Sequence, residues 1–269
     1  MQGSHFPPHH GLDASALNLA VAFLAEIQKA DNLPAIDGLL ESIAHDLGYR
    51  HYAMIHHDDH RDGSSSLINL NNYPADYAAE YFAGLYHRDD PVVHACIAAN
   101  ACFAWSEMAE LIEITRRHRT FLERGDYYGL SNGITAPAFV LGERSGSCNF
   151  CGPRTPHAAR RDIGAIQIIG SFAFQKARRI VSGRCLRQVR AARLQPRQRE
   201  CAILAGQGKS NADIATILDL APITVKTYIE RACNRYEVSN RTQLVIAAIL
   251  DGEIGLHEIA PRQYRYFAG

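Results

Sequence analysis

Two tyrosines four residues apart, Tyr77 and Tyr81, an aspartate directly before a proline at Asp90, and the chain's single tryptophan, Trp105, form a set able to hold a small neutral amide. Residues four apart on a helix share a face, so both phenols project from one side. A buried Asp90 carboxylate accepts an amide N–H, and Trp105 offers a large flat wall. Plain core packing is the other reading of such aromatic residues. A second set, near the C-terminus, is of a different kind. Pro222 opens a helix whose first turns present Thr224, Lys226 and Thr227 outward while Ile223, Val225 and Ile229 are expected to face inward. Short polar and cationic side chains at the N-terminal end of a helix suit the major groove of DNA.

Periodicity supplies the elements that must hold these side chains. Leu17, Val21, Leu24 and Ile27 recur at helical spacing, as do Ile36, Leu39, Leu40 and Ile43 before Gly48. Residues 52–55 and 67–70 read as strands around a polar turn at 58–65. A helix after Pro74 stacks Tyr77, Tyr81 and Leu85, another opens at Pro91 with Asp90 as its cap, and 116–128 is helical. Strands at 134–140 and 147–151 and a long helix over 162–181 complete the region. That order implies an antiparallel sheet with helices packed on it. Apolar periodicity lapses over 182–192, the expected linker. Beyond it, 196–204, 211–218, 222–236 and 242–250 make four helices, two of them joined by a turn of three or four residues, as in a helix-turn-helix.

Charge divides the chain in the same way. Residues 171–269 carry 3 Lys and 13 Arg against 8 acidic residues, a net of +8, so positions 1–170 hold −8 although the whole chain sums to zero. Nine basic residues and no acidic one lie between positions 176 and 199, an excess that attracts a polyanion. A length of 269 residues points to two domains, and seven scattered cysteines to a reducing compartment. No apolar run approaches the roughly 20 residues a membrane span needs, so a cytoplasmic protein with no membrane partner is expected.

In the C-terminal region, Leu194-Gln195-Pro196-Arg197, Gly208-Lys209-Ser210-Asn211, Ile214-Ala215, Leu218, Thr224-Val225-Lys226 and Val238-Ser239-Asn240-Arg241-Thr242 resemble the LuxR-type helix-turn-helix in order and spacing. The resemblance places Lys209, Asn240 and Arg241 on phosphates, where they position the recognition helix without reading sequence. Gln198 and Ala202 depart from the usual Glu and Leu. Upstream, Asn72-Tyr73-Pro74, Tyr77, Tyr81, Tyr86, Asp90-Pro91-Val92-Val93, Phe103, Trp105, Gly129, Gly133, Thr135 and Pro137 are similar to the autoinducer-binding domain of the same quorum-sensing regulators. The family implies an α+β chain: an α-β-α sandwich sensor with an antiparallel sheet, then an all-α four-helix DNA-binding domain. The expected divisions are a tail at 1–14, the sensor at 15–181, the linker at 182–192, the helix-turn-helix at 193–254 and a tail at 255–269.

The resemblance also implies an N-acyl- or aryl-homoserine-lactone-like signal, with no further cofactor and no metal. Tyr81 and Asp90 would hold its amide, Trp105 its ring, and Tyr73 the same carbonyl as Tyr81, with Thr135 in the same pattern and Asn149 near the third acyl carbon. Tyr77 stands where the family normally has a Trp that donates to the lactone carbonyl, which leaves a non-lactone signal open. The implied partners are double-stranded DNA, a second copy of the chain and RNA polymerase. Rival readings start from His56, His57 and His60 beside Asp58, Asp59 and Asp62, with Cys148 and Cys151, as a metal site of an enzyme or, for the two cysteines, a redox switch. Their spacing is not that of paired zinc ligands, and the glycine that a phosphate loop needs five residues before Gly208 is Ile203.

Overall fold

The computed structural model describes residues 14–61, 67–84, 86–182 and 193–260. The expected linker falls almost wholly outside these residues, as do Asp62 and Leu85. The chain forms two compact units that divide between Leu186 and Arg187.

In the first unit, helices α1 (Ala14–Ile27) and α2 (Leu33–Asp46) precede strand β1 (His51–His56), which pairs with β2 (Asn69–Asn71). Then follow α3 (Ala75–Ala83), α4 (Pro91–Ala98), β3 (Phe103–Ala104), α5 (Met108–Leu111) and α6 (Arg116–Tyr127). Strands β4 (Ile134–Ala138) and β5 (Gly146–Cys151) lead into α7 (Pro156–Val181). The sheet order is β2-β1-β5-β4-β3, and every pairing is antiparallel. Strand alternation then assigns the faces: Tyr52, Met54, Cys148 and Phe150 join the core under α1, α2 and α7, whereas Ala53, Ile55 and Cys151 join Tyr77, Tyr81 and Leu130 on the other side. The expected sandwich is therefore present.

Two local readings change. Helix α7 begins six residues before the expected 162, because Thr155 caps it by accepting from the Ala158 N–H at 3.2 Å and Pro156 fits its first turn. Its early turns are polar, so apolar periodicity misses them. Strand β3 was not expected; two residues are too few to show a period. Asp162, 1 % exposed, fixes α7 to the sheet side by accepting from the Tyr49 hydroxyl at 2.9 Å and from Arg154, whose guanidinium lies 5.4 Å from the Tyr49 ring centre.

The second unit holds α8 (Pro196–Gly206), α9 (Asn211–Leu218), α10 (Pro222–Tyr236), α11 (Arg241–Leu250) and α12 (Leu256–Ile259). Among the described residues, five helices stand where four were expected. The segment read as a tail from 255 packs on α8 through Arg199, whose guanidinium donates to both Glu258 oxygens at 2.9 and 2.7 Å and to the Glu253 carbonyl at 2.8 Å. Gln198, where a carboxylate was expected, is buried and accepts from the Gln195 N–H at 3.0 Å, so an amide closes the capping box as well as an acid does.

Candidate functional site

In the first unit a partly open pocket, about 490 Å³ with the adjoining solvent space included, lies between the sheet and the helices α3, α4 and α6. Asp90 enters it from the start of α4. Its position follows from capping: one oxygen accepts from the Val92 N–H at 2.8 Å, and the other is then left to accept from the Tyr81 hydroxyl at 2.9 Å. Asp90 is paired without a ligand, because the cap and the α3 phenol satisfy it from within the fold. Burial still pushes its pKa up to about 6, against the opposing pull of the Val92, Tyr81 and Val93 hydrogen bonds and His94.

Tyr77 is 5 % exposed and packs against Tyr73, Tyr81 and Tyr128, with ring centres 5.4 to 6.0 Å apart. Tyr73, Tyr77 and Tyr81 all line the cavity, and burial raises the pKa of each phenol. They are neutral donors at any physiological pH. Trp105 forms a wall, its indole N–H donating at 2.9 Å to Thr135, whose hydroxyl donates at 2.8 Å to Asn149. The ring lies so close over Gly133 that a Cβ there would sit 2.4 Å from it. Asn149 lines the cavity, while Thr135, fully buried, sits behind Trp105 and orients it rather than joining the wall.

Helix α6 closes the cavity with Phe121, Leu122 and Gly125, and a histidine chain places it. The Thr115 N–H donates to Nδ1 of His118 at 3.3 Å, so the His118 proton is on Nε2, which lies 3.1 Å from Nδ1 of His94; Nε2 of His94 in turn donates to the Arg88 carbonyl at 2.8 Å. Glu80 of α3 adds a tie by accepting from Arg124 and Tyr86. Sequence reading missed Ile55, His57, Phe121, Leu122, Leu130 and Ser147 as lining residues. The period-two alternation of β1 and β5 carries part of that signal, since it sets Ile55 and His57 with Ser147 and Asn149.

Among the described residues, no group of three or more His, Cys, Asp or Glu side chains is placed to hold a metal ion. Cys148 and Cys151 belong to cores on opposite faces of β5, so the pair cannot close a disulfide without rebuilding the strand. Among the described residues, no helix is long and apolar enough to cross a membrane.

In the second unit, Lys226 projects from α10 and is exposed, 3.7 Å from Glu230 one turn on. Thr224 and Thr227 are half-buried beside it, and the Thr227 hydroxyl donates to the Ile223 carbonyl at 2.9 Å. Ile223, expected inward, is 66 % exposed. The reason is geometric: positions 225 and 229 lie on one face and 223, 226, 227 and 230 on another. Asn240 caps α11 by accepting from the Gln243 N–H at 2.9 Å, and Arg241 donates to the Lys209 carbonyl at 2.5 Å. An open cleft of about 990 Å³ runs past Ser210, Lys226, Glu230, Asn240 and Arg241, bringing the starts of α9 and α11 beside α10.

Residues 34–177 match the family described as "Autoinducer binding domain", and residues 192–248 match "Bacterial regulatory proteins, luxR family". The chain is similar to the HTH-type quorum sensing-dependent transcriptional regulator RpaR of Rhodopseudomonas palustris, at 26 % identity over 88 % of this chain and 95 % of that one. It is also similar to the transcriptional activator protein TraR of Agrobacterium vitis, at 24 % identity over 83 % of this chain and 96 % of that one. Among solved structures, Escherichia coli SdiA has the same fold, with a TM-score of 0.53 at 18 % identity over 87 % of this chain and 97 % of that one. A structure described as SdiA in complex with octanoyl-rac-glycerol aligns at a TM-score of 0.51 and 17 % identity, covering 89 % of this chain and 96 % of that one.

Proposed function

We propose, for a chain that belongs to the LuxR family of autoinducer-binding, quorum-sensing transcriptional regulators, that an N-acyl-homoserine-lactone-like signal fills the first unit's cavity and controls operator binding by the second. The observation that carries this is the Asp90–Tyr81 pair, a buried acid and a phenol whose hydrogen bond lies at the cavity wall. An amide needs one acceptor and one donor side by side. Asp90 takes the N–H; the carbonyl accepts from the Tyr73 phenol, or from Tyr81 once its hydroxyl turns from Asp90 to the ligand. Trp105, held by Thr135, covers the head group, Tyr77 donates to it, and Asn149 meets the acyl chain beyond the amide.

In the second unit, Ile223, Lys226 and Thr227 of α10 face the major groove with Thr224 beside them. Lys209, Asn240 and Arg241 lie on phosphates. Asn240 acts through the side-chain amide and backbone left over from capping. A recognition helix reads only a few base pairs, so the protein works as a homodimer on a palindromic operator, and Ile246, 52 % exposed on α11, lies on the face available for pairing. The bound complex recruits RNA polymerase in the cytoplasm.

A second reading keeps the acyl-chain site and changes both the head group and its linkage, since an ester brings no N–H to Asp90. Tyr77 in place of the family Trp supports it, as does the SdiA complex with an octanoyl glycerol. The test is a thermal-shift and DNA-binding titration of the purified chain against acyl-homoserine lactones and octanoyl glycerol, with mass spectrometry of whatever co-purifies. A lactone that raises Tm and changes operator affinity supports the first reading; a response confined to the glycerol ester supports the second. No response to any acylated ligand, with a chemically unrelated compound co-purifying, overturns both.

A further inference from the structure

Among the described residues, the histidine-rich turn after β1 brings together no group of metal-ligating side chains, yet one of its members reaches the cavity. His56 points to the opposite face, accepts from the Ile68 N–H at 2.9 Å and is held neutral by burial, its pKa down to about 4. His60 donates to the His56 carbonyl at 2.8 Å. His57 instead lines the cavity. Its backbone is fixed by an N–H bond of 2.9 Å to the Ser145 carbonyl, and its Nε2 shares a 2.9 Å hydrogen bond with the Ser147 hydroxyl. Ser147 is 1 % exposed and also bonds the Cys96 thiol.

Strand geometry says where this pair lies. Cys151, Asn149 and Ser147 share one face of β5, each about 7 Å from the next. Tyr73 and Tyr77 cluster with Cys151, and Trp105 reaches Asn149 through Thr135. Ser147, with His57 on it, therefore stands about 13 Å along β5 from Cys151 and one step beyond Asn149. With the head group among the tyrosines and Trp105, the far end of the acyl chain meets this pair. We infer that His57 and Ser147 form a polar subsite for the end of the acyl tail, and that the native signal carries a hydroxyl or carbonyl there in place of a plain alkyl terminus. This inference rests on the reading of the cavity as the site of an acylated ligand.

The chemistry follows from the two groups. A serine hydroxyl has one proton and two lone pairs, so while bonded to His57 and Cys96 it can still exchange a hydrogen bond with a ligand oxygen. A methyl terminus would instead strip water from the pair and return nothing. The same property makes the site selective, because a buried polar group left facing an apolar atom discriminates more sharply than a missing methylene does.

The experiment is a four-ligand matrix measured with the full chain: homoserine-lactone or glycerol-ester head, crossed with a plain or ω-hydroxylated tail of equal length. The parent is expected to bind hydroxylated tails about tenfold more tightly than plain ones. Ser147→Ala should bring the two within about twofold, and Ser147→Thr, which keeps the hydroxyl, should restore the preference. A hydroxyl preference that holds only on the glycerol ester retires the lactone head and keeps the tail subsite. Lactone binding with equal or better affinity for the plain tail overturns the tail subsite and leaves the head reading standing. A hydroxyl preference that survives in Ser147→Ala, or no binding in all four cells, overturns the assignment of this pair.

Discussion

Replacing Asp90 with Asn tests the amide site through its electrostatics. The change keeps the shape but presents one acceptor where the carboxylate presents two, so either the Val92 N–H or the Tyr81 hydroxyl loses its partner. That is a pH-independent cost of about 1 kcal/mol. The titration lies on top of it. The Asp90 pKa rises from 3.8 to about 6 because burial disfavours the charge. The folded state thus holds this proton more tightly than the unfolded chain, so the stabilisation is complete below about pH 4 and is lost as pH rises through about 6. A shift of this size amounts to about 3 kcal/mol in total, of which about 2 kcal/mol falls between pH 4.5 and 7.5. Urea unfolding of parent and Asp90→Asn across that range should show the variant gaining about 2 kcal/mol on the parent with rising pH. Ligand binding should run the other way, since an amide N–H prefers the ionised acceptor: parent affinity weakens about tenfold per pH unit below about 6, and the variant's does not. A parent-to-variant stability difference that stays flat across the range refutes the burial argument. A ligand-induced rise in Tm that is the same in both proteins refutes Asp90 as the amide acceptor.

Further expectations concern other parts of the molecule. Lys226→Ala should weaken operator binding at least tenfold by anisotropy at matched salt while leaving the ligand-induced Tm rise unchanged, and parent binding should fall steeply with added salt; equal operator affinity removes Lys226 from the interface. Gly133→Ala drives a methyl into the Trp105 ring, so it should cost about 1 to 3 kcal/mol of stability and shift the tryptophan emission, whereas an unchanged spectrum and Tm would show that the wall yields freely. Tyr77→Phe should cost about 0.5 to 1.5 kcal/mol of lactone binding by calorimetry if the phenol donates to the head group, and nothing if it only packs. Glu258→Ala, which removes the paired acceptor of a partly exposed Arg199, should lower C-terminal stability by about 1 kcal/mol in urea, and no change would make α12 an ornament of the unit.

Sequence alone determined the features that depend on near neighbours. The Asp90-Pro91 pair reads as a helix start because capping involves residues two and three positions on, and α10 reads as a recognition helix because its charges and its spacing fall within fifteen residues. Alternation on β1 and β5 fixes which residues share a face. What it could not give is which of those residues meet. His57 finds Ser147 across 90 positions only through the antiparallel register of β1 with β5, and a slip of one strand by one residue would put the two on opposite faces. Tyr81 of α3 satisfies Asp90 at the cap of α4, nine positions on and in a different element. Ile223 faces outward although it is apolar, and the helical period alone, which sets it opposite Val225 and Ile229, would have shown this. The tail subsite, the satisfied acid and the wall over Gly133 are pairings between elements, and those were decided by the tertiary structure, because local propensity sets the face of each element while packing and register set its partner.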